Sequence, residues 1–236
     1  MLTHYTRTSE AIVNILTHGF AWIPNRRRLT DLLIPERDYE TREPQQFGMI
    51  SFTELDPPNA APHRTKFGNF GIIVSDVWAA EHRAQRVIYV DEGGPVTEAL
   101  RGLFAIGQAD LAERIAYPDD KGWLMAYENK NVAGAVAGAR LWASLLQLWE
   151  YLEPASSAQQ REWRIVNELP YYSLSENKRE AIANVSPPEG WAQVMNVVPL
   201  PRSEVVALVC NSGDRARLTD SLPAGYEDVA VHEISS

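Results

Sequence analysis

The stretch REWRIVNEL (residues 161–169) places a charged cluster at the start of an apolar, strand-like run. A buried charge is costly unless it is paired. A glutamate flanked by two arginines is therefore either held ionised for a chemical task or part of an ordinary ion pair at a strand edge. Side chains two residues apart in a strand point to the same face, so Glu162 and Arg164 are expected to share one.

The N-terminal segment predicts a strand followed by a helix. Residues 2–6 alternate apolar and polar side chains as a short strand does. Thr8 is a candidate helix N-cap, and Gly19 stands where a helix ends in a left-handed residue. His4 then lies on the first strand. It is either a core histidine with its hydrogen bonds satisfied or a donor to a ribose hydroxyl, with Tyr5 packed nearby.

Five segments follow one another along the chain, namely THYT…IL..GF, MISFTEL, HRTKFGNFGIIVS, RVIYV and the late REWR. Together they resemble the AbiGi family of bacterial abortive phage-infection proteins. The chain is also similar, more distantly, to DarT-type and other ADP-ribosyltransferases. The resemblance covers residues 2–90 and 159–209.

This resemblance implies an NAD site built on three strands. ADP-ribosyltransferases carry a histidine or arginine on the first strand, a Ser-x-Ser/Thr-like pattern on the next, and a glutamate before a late strand. The cofactor contacts implied on the first two strands are His4, Tyr5, Thr6, Ser51 and Thr53. The late strand would add Arg164, which would either orient Glu162 or bind a phosphate with two parallel hydrogen bonds.

Glu162 is the candidate catalytic residue. Cleavage of the nicotinamide–ribose bond develops positive, oxocarbenium-like charge, which a nearby carboxylate stabilises more in the transition state than in the ground state. This role requires His4, Ser51 and Glu162 to converge on one cleft, within roughly 15 Å, because the polar groups of a dinucleotide pocket must converge.

A basic patch, Arg26 to Arg28, has two interpretations. It is either a solvated loop or a contact for pyrophosphate or nucleic acid. In the family this region borders the NAD pocket, so the resemblance assigns Arg27 to the cofactor. His63 and Lys66, which precede the glycine-containing segment FGNFG, are the candidate substrate residues, since glycines permit close backbone approach to a ligand.

Composition limits the class of protein. The chain has 236 residues, of which 45% are hydrophobic, and a net charge of −9. That charge argues against broad nonspecific affinity for nucleic acid. The absence of a basic-then-apolar leader and of any long apolar run predicts a cytoplasmic protein without membrane insertion. No His/Cys spacing predicts a metal site, and the single Cys210 is expected to be inert core.

The middle of the chain has helical spacing of apolar residues, including Leu141, Leu145, Leu148 and Leu152. We therefore predict a helical insertion at about residues 97–153 within a single domain spanning residues 1–236. Strands on both sides of it predict an α+β fold with a mixed, mostly antiparallel sheet, ADP-ribosyltransferase-like by resemblance.

The expected function is that of an NAD-dependent ADP-ribosyltransferase in phage defence, of the abortive-infection or toxin–antitoxin type. Its acceptor would be a nucleic acid or a protein. The alternative is a non-catalytic antitoxin or nucleotide-binding module of a two-component system, paired with a cognate toxin or antitoxin. An acidic chain suits a basic partner as well as it suits an enzyme.

Overall fold

The central sheet of the computed structural model runs in the order β10-β9-β4-β1-β3-β8-β5, with β2 paired to β3 at one side. The structure describes residues 1–24, 47–91, 93–103, 144–145, 147–170 and 197–234. The strands are β1 Leu2–Thr6, β2 Ile23–Pro24, β3 Phe47–Thr53, β4 Phe70–Val74, β5 Gln85–Arg86, β6 Ile88–Val90, β7 Leu152–Pro154, β8 Glu162–Pro170, β9 Val205–Asn211 and β10 Ala230–Ile234. The helices are α1 Ser9–His18, α2 Ala61–Phe67, α3 Asp76–Glu81 and α4 Arg215–Asp220.

Strand pairing is antiparallel throughout this sheet except between β9 and β10, which run parallel. A separate two-stranded ribbon pairs β6 with β7 in parallel. The predicted α+β class with a mixed, mostly antiparallel sheet is confirmed. Among the described residues, no helix has the length and apolar character needed to cross a membrane.

Helix α1 forms as its sequence predicts. The Thr8 side chain accepts a hydrogen bond from the Ala11 N–H at 3.2 Å, which satisfies one of the free donors of the first turn. Gly19 ends the helix at φ 88°, a conformation that favours glycine, and its N–H bonds to the Ile15 carbonyl. A Cβ on Gly19 would lie 2.4 Å from the Val198 carbonyl oxygen, so the end of α1 packs tightly on a neighbouring segment.

The two faces of the sheet are covered differently. One face joins the main hydrophobic core, in which Ile12 of α1 and Trp78 of α3 pack with Phe52 and Ile72. The other face carries a smaller apolar cluster that includes Tyr5 and Ile73, with Phe67 of α2 against it. Helix α2 therefore covers part of this second face.

Three elements differ from the sequence prediction. The sequence of residues 86–91 predicts one strand, but the structure divides this segment into β5 and β6, because the Val87 N–H bonds to the Glu162 carbonyl while the Ile88 N–H bonds to the Tyr151 carbonyl. Residues 152–154, expected to end a long helix, form strand β7. Helix α2 was not predicted.

The predicted helical insertion at 97–153 lies largely outside the described residues. Of those that are described, residues 95–103 are helical, as are 144–145 and 147–149. Leu145 and Trp149 are buried in a small cluster with Leu152 and Val166, so this part of the chain packs against β8.

Candidate functional site

The three strands that carry the predicted site lie side by side in the order β1, β3, β8. Thr53 pairs with Glu162 and Ser51 pairs with Arg164 across the β3–β8 ladder. Directly opposed residues of antiparallel strands project to the same side, so these four side chains share one surface. We call this surface, formed by Ser51, Thr53, Glu162 and Arg164, the polar face.

Arg164 organises the polar face. Its side chain is 1% exposed, and its Nε donates to Glu162 Oε1 at 2.8 Å. Its two terminal nitrogens donate to the Glu153 carboxylate and to the Glu150 carbonyl. Because all three nitrogens have protein acceptors, the geometry favours the first of its two expected roles, orienting Glu162, over binding a phosphate.

Glu162 is buried and ionised. Burial alone raises the pKa of its carboxyl, but the adjacent Arg164 guanidinium outweighs this and, with Lys66, holds the pKa below its ordinary value. The Ser51 hydroxyl approaches the carboxylate and also lowers the pKa of Glu162. Its geometry falls short of a regular hydrogen bond, so the buried Oε2 has no partner among the described residues. Oε1 is therefore held by Arg164, whereas Oε2 has no regular hydrogen-bond partner in the described part of the chain.

His63, on α2, lies within electrostatic reach of this carboxylate. Its side chain is fully buried, and neither ring nitrogen has a hydrogen-bond partner among the described residues. Burial lowers its pKa to about 4, with the Glu162 charge acting in the opposite direction, so the ring is neutral near pH 7. Its ring centroid lies 4.4 Å from that of Phe67 and 5.8 Å from that of Tyr5.

Tyr5 shares the side of the sheet covered by α2. Its hydroxyl is buried without a regular hydrogen-bond partner in the described part of the chain. Burial raises the pKa of Tyr5 to about 12, with the neighbouring Arg64 charge opposing the shift. Tyr5, His63 and Glu162 thus each carry a buried polar atom without a regular hydrogen-bond partner among the described residues, which is unusual for a protein interior.

His4 projects to the opposite side of the sheet, so the expected convergence with Glu162 is not observed. Its ring packs edge-on against Phe20 and Phe52 in the main core. Its Nδ1 lies 2.8 Å from the Ser51 carbonyl oxygen, so only the backbone links it to the polar face. Burial lowers the pKa of His4 to about 4. The expectation failed because His4 is one residue out of phase with Thr3, which pairs with Thr53.

Thr6 and Thr53 serve the framework in this structure. Thr6 has the same parity as His4 and pairs with Phe70 at the end of β1. The Thr53 hydroxyl donates to the Gln160 carbonyl at 2.7 Å and accepts from the Leu55 N–H at 3.2 Å, which ties β3 to the turn before β8. Arg27 and the rest of its basic patch lie outside the described residues.

A cleft of about 380 Å³ opens on the exposed side of α2. Its lining includes Arg7 after β1, Arg64 and Lys66 on α2, and Asn69 in the turn to β4. Lys66 was predicted as a substrate residue from the sequence. Arg7 and Arg64 were not, although the basic segment HRTK already indicated positive charge there.

Sequence reasoning also missed Glu153 and Tyr89. Glu153 reaches Arg164 through the unpredicted strand β7. The Tyr89 hydroxyl accepts a hydrogen bond from the Glu162 N–H at 2.8 Å. No local signal marks either contact, because both depend on how distant strands pair.

Within the described ranges, no group of three or more His, Cys, Asp or Glu side chains is arranged to hold a metal ion. Comparisons of the chain with protein-family models, with curated proteins and with solved structures find no match. The chemistry of the polar face and of the cleft is therefore the basis for assigning a function.

Proposed function

We propose that this protein is an NAD-dependent ADP-ribosyltransferase of bacterial phage defence, with Glu162 as its catalytic residue. The observation that carries the proposal is the polar face itself. A glutamate from the late strand stands beside the Ser-x-Thr pattern of β3. It is ionised, with one oxygen fixed by Arg164 and the other without a regular hydrogen-bond partner among the described residues. NAD enters through the resemblance of the motifs to ADP-ribosyltransferases.

The chemistry asked of Glu162 is electrostatic. When the bond between nicotinamide and ribose breaks, its electron pair leaves with nicotinamide and the ribose carbon becomes positively charged. An acceptor nucleophile then forms the new bond to that carbon and releases its proton to solvent. A carboxylate already fixed and ionised stabilises this charge without reorganising as it develops. The free Oε2 of Glu162 is the atom available for this contact.

Access to Glu162 requires movement of α2. The Glu162 side chain is 1% exposed, and the fully buried His63 of α2 is near enough for the Glu162 charge to act on its pKa. The helix is only seven residues long, Ala61–Phe67, and is bounded by Pro57, Pro58 and Gly68. In the proposed reaction α2 moves away from the polar face when NAD binds, so that the carboxylate becomes accessible.

The burial of Glu162 also favours a second candidate function. If α2 stays in place, the pair of Glu162 and Arg164 is a buried structural ion pair, and the protein is a non-catalytic antitoxin or nucleotide-binding module. Its partner would be a cognate toxin or antitoxin protein. This candidate uses the cleft on the outer side of α2 but not the free oxygen of Glu162.

Calorimetric titration with NAD, followed by a nicotinamide-release assay on the same preparation, separates these candidates. The enzyme predicts NAD binding and release of nicotinamide that depends on protein concentration. The binding module predicts NAD or nucleotide binding without release. Absence of both would remove NAD from the account and leave the antitoxin alternative.

A further inference from the structure

The cleft outside α2 concentrates positive charge in a chain whose net charge is −9. Its cations come from two separate segments, since Arg7 follows β1 whereas Arg64 and Lys66 lie on α2. No carboxylate lines it among the described residues. A concave site of this kind attracts and retains anions, because low-dielectric walls focus the field of the charges within it.

These cations have few charged partners within the described part of the protein. In the part of the chain that the structure describes, neither Arg7 nor Lys66 has a carboxylate within ion-pair distance. Arg64 uses one terminal nitrogen to donate to the Pro57 carbonyl and lies beside the Tyr5 hydroxyl, and the Lys66 ammonium lies 4.8 Å from the centroid of the Phe67 ring. Most other described arginines, such as Arg202 and Arg217, are paired with carboxylates. The cleft therefore retains donors for a ligand.

Two further features lie at and next to the residues that line the cleft. Behind Arg64 lies the buried Tyr5 hydroxyl, which has no regular hydrogen-bond partner among the described residues. Gly68 adopts φ 114°, and a Cβ there would lie 2.3 Å from the Thr6 carbonyl oxygen. Glycine thus lets the turn after α2 press on the end of β1, which brings Arg7 against the cations of α2.

We propose that this cleft binds the phosphoryl groups of a nucleotide, with Arg7, Arg64 and Lys66 as the phosphate contacts. Arginine matches phosphate oxygens with paired donors, and lysine adds a point charge. The Lys66 charge also acts on the Glu162 carboxylate, so the cleft adjoins the polar face. This inference deepens the proposed function and rests on it, since it assigns the pyrophosphate of NAD to the cleft and the nicotinamide ribose to Glu162.

The test is calorimetric titration with ADP, inorganic pyrophosphate and adenosine. We expect ADP and pyrophosphate to bind, adenosine to bind far more weakly, and the affinity for ADP to fall as salt rises. Arg7→Gln and Lys66→Gln should each weaken ADP binding by at least about tenfold, the scale for one lost charge-assisted hydrogen bond. These two variants decide the question, because Arg64→Gln also removes the bond to Pro57.

Arg217→Gln is the matched control, since it removes an exposed arginine that pairs with Glu10 elsewhere on the surface. Unchanged ADP affinity in both cleft variants would overturn the inference, as would binding of a single-stranded oligonucleotide but not of ADP. These measurements distinguish failure of the proposed enzyme from failure of the proposed phosphate-binding cleft. ADP binding that depends on the cleft, without nicotinamide release, removes the enzyme and keeps the cleft, whereas nicotinamide release with cleft variants of unchanged affinity does the reverse.

Discussion

At the scale of single residues, the polar face depends on one arginine shared by two carboxylates. Arg164 contacts both Glu162 and Glu153, and all three side chains are buried. A buried ion pair adds little net stability compared with apolar residues of the same shape, but removal of one partner leaves an uncompensated charge. The arrangement fixes the position of Glu162 more than it stabilises the fold.

Replacement of Arg164 should therefore be costly. Arg164→Met leaves two buried carboxylates without their cation, and we expect a loss of about 3–5 kcal/mol in the free energy of unfolding. Arg164→Lys should recover only part of it, because lysine cannot make the same forked contacts. Urea denaturation measures both values.

The control is Arg202→Met, which removes an exposed pair with Asp228. It should cost much less than Arg164→Met, because this pair is exposed to solvent. Similar losses in Arg164→Met and Arg202→Met would show that Arg164 does not hold buried charge.

The buried histidines predict acid sensitivity. Burial lowers the pKa of His63 to about 4, below its ordinary value near 6.5. Between these values the unfolded chain binds a proton that the folded protein does not. Stability is therefore fully present above pH 6.5, falls as the pH drops toward 4 and then levels off for this group, by up to about 3 kcal/mol.

Unfolding free energies measured from pH 7.5 to 4 test this. His63→Leu should flatten the slope in that window, with His4 supplying much of what remains because its pKa is also lowered to about 4. His232→Gln, which changes an exposed histidine, should leave the slope intact. A slope equally steep in His63→Leu and the unaltered protein would contradict the assignment.

At the scale of elements, α2 separates the two candidate subsites. Its inner side places the buried His63 within electrostatic reach of Glu162, and its outer side presents Arg64 and Lys66 to the cleft. The helix ends at Gly68, whose N–H bonds to the Arg64 carbonyl at 2.7 Å. The position of α2 relative to β1 therefore depends on this turn.

Gly68→Ala should disrupt that turn. A Cβ would collide with the backbone of Thr6 and Arg7, and the φ of 114° is strained for alanine. We expect a loss above about 1 kcal/mol in unfolding free energy and weaker ADP binding.

Variants at two other glycines separate the effect of backbone strain from that of steric collision. Gly225 also has a positive φ, of 88°, but open space at its Cβ, so Gly225→Ala reports strain without collision. Gly213 has open space and no positive φ, and Gly213→Ala should be nearly neutral. Equal stability of all three variants would show that the turn tolerates a side chain.

Local pattern predicted many of the elements but not how they face one another. Residues 161–169 and the capped helix after Thr8 formed as expected, because alternation and caps act within a few residues. Helix α2 was missed because three prolines suggested an interruption, although Pro62 stands in its first turn, where proline is tolerated.

At the scale of the whole molecule, the sheet order brings together β1, β3 and β8 from distant parts of the chain. The shared face of Glu162 and Arg164 followed from their spacing of two. The placement of His4 could not be predicted, because cross-strand register decides which parity of β1 faces Glu162. The contact of Glu153 with Arg164 could not be predicted either, because Glu153 lies on β7, a strand that the sequence did not predict.

Because Glu162 on the polar face is buried, NAD binding should displace α2 and leave the other described helices in place. Hydrogen exchange followed by mass spectrometry is expected to show faster exchange of the amides of residues 63–67 when NAD is present, since the helix must move from the sheet. Helix α1, on the opposite side, should be unaffected. Unchanged exchange in α2 with NAD bound would contradict the proposed opening.

The central claim, that Glu162 is catalytic, is tested most directly by nicotinamide release in Glu162→Gln compared with Glu153→Gln. Both variants remove a buried carboxylate from Arg164, so both should lose stability to a similar degree. Only Glu162→Gln should lower turnover by at least about a hundredfold with NAD affinity little changed, the scale for one preorganised electrostatic group. Equal turnover in the two variants would contradict the account and make the Glu162–Arg164 pair structural.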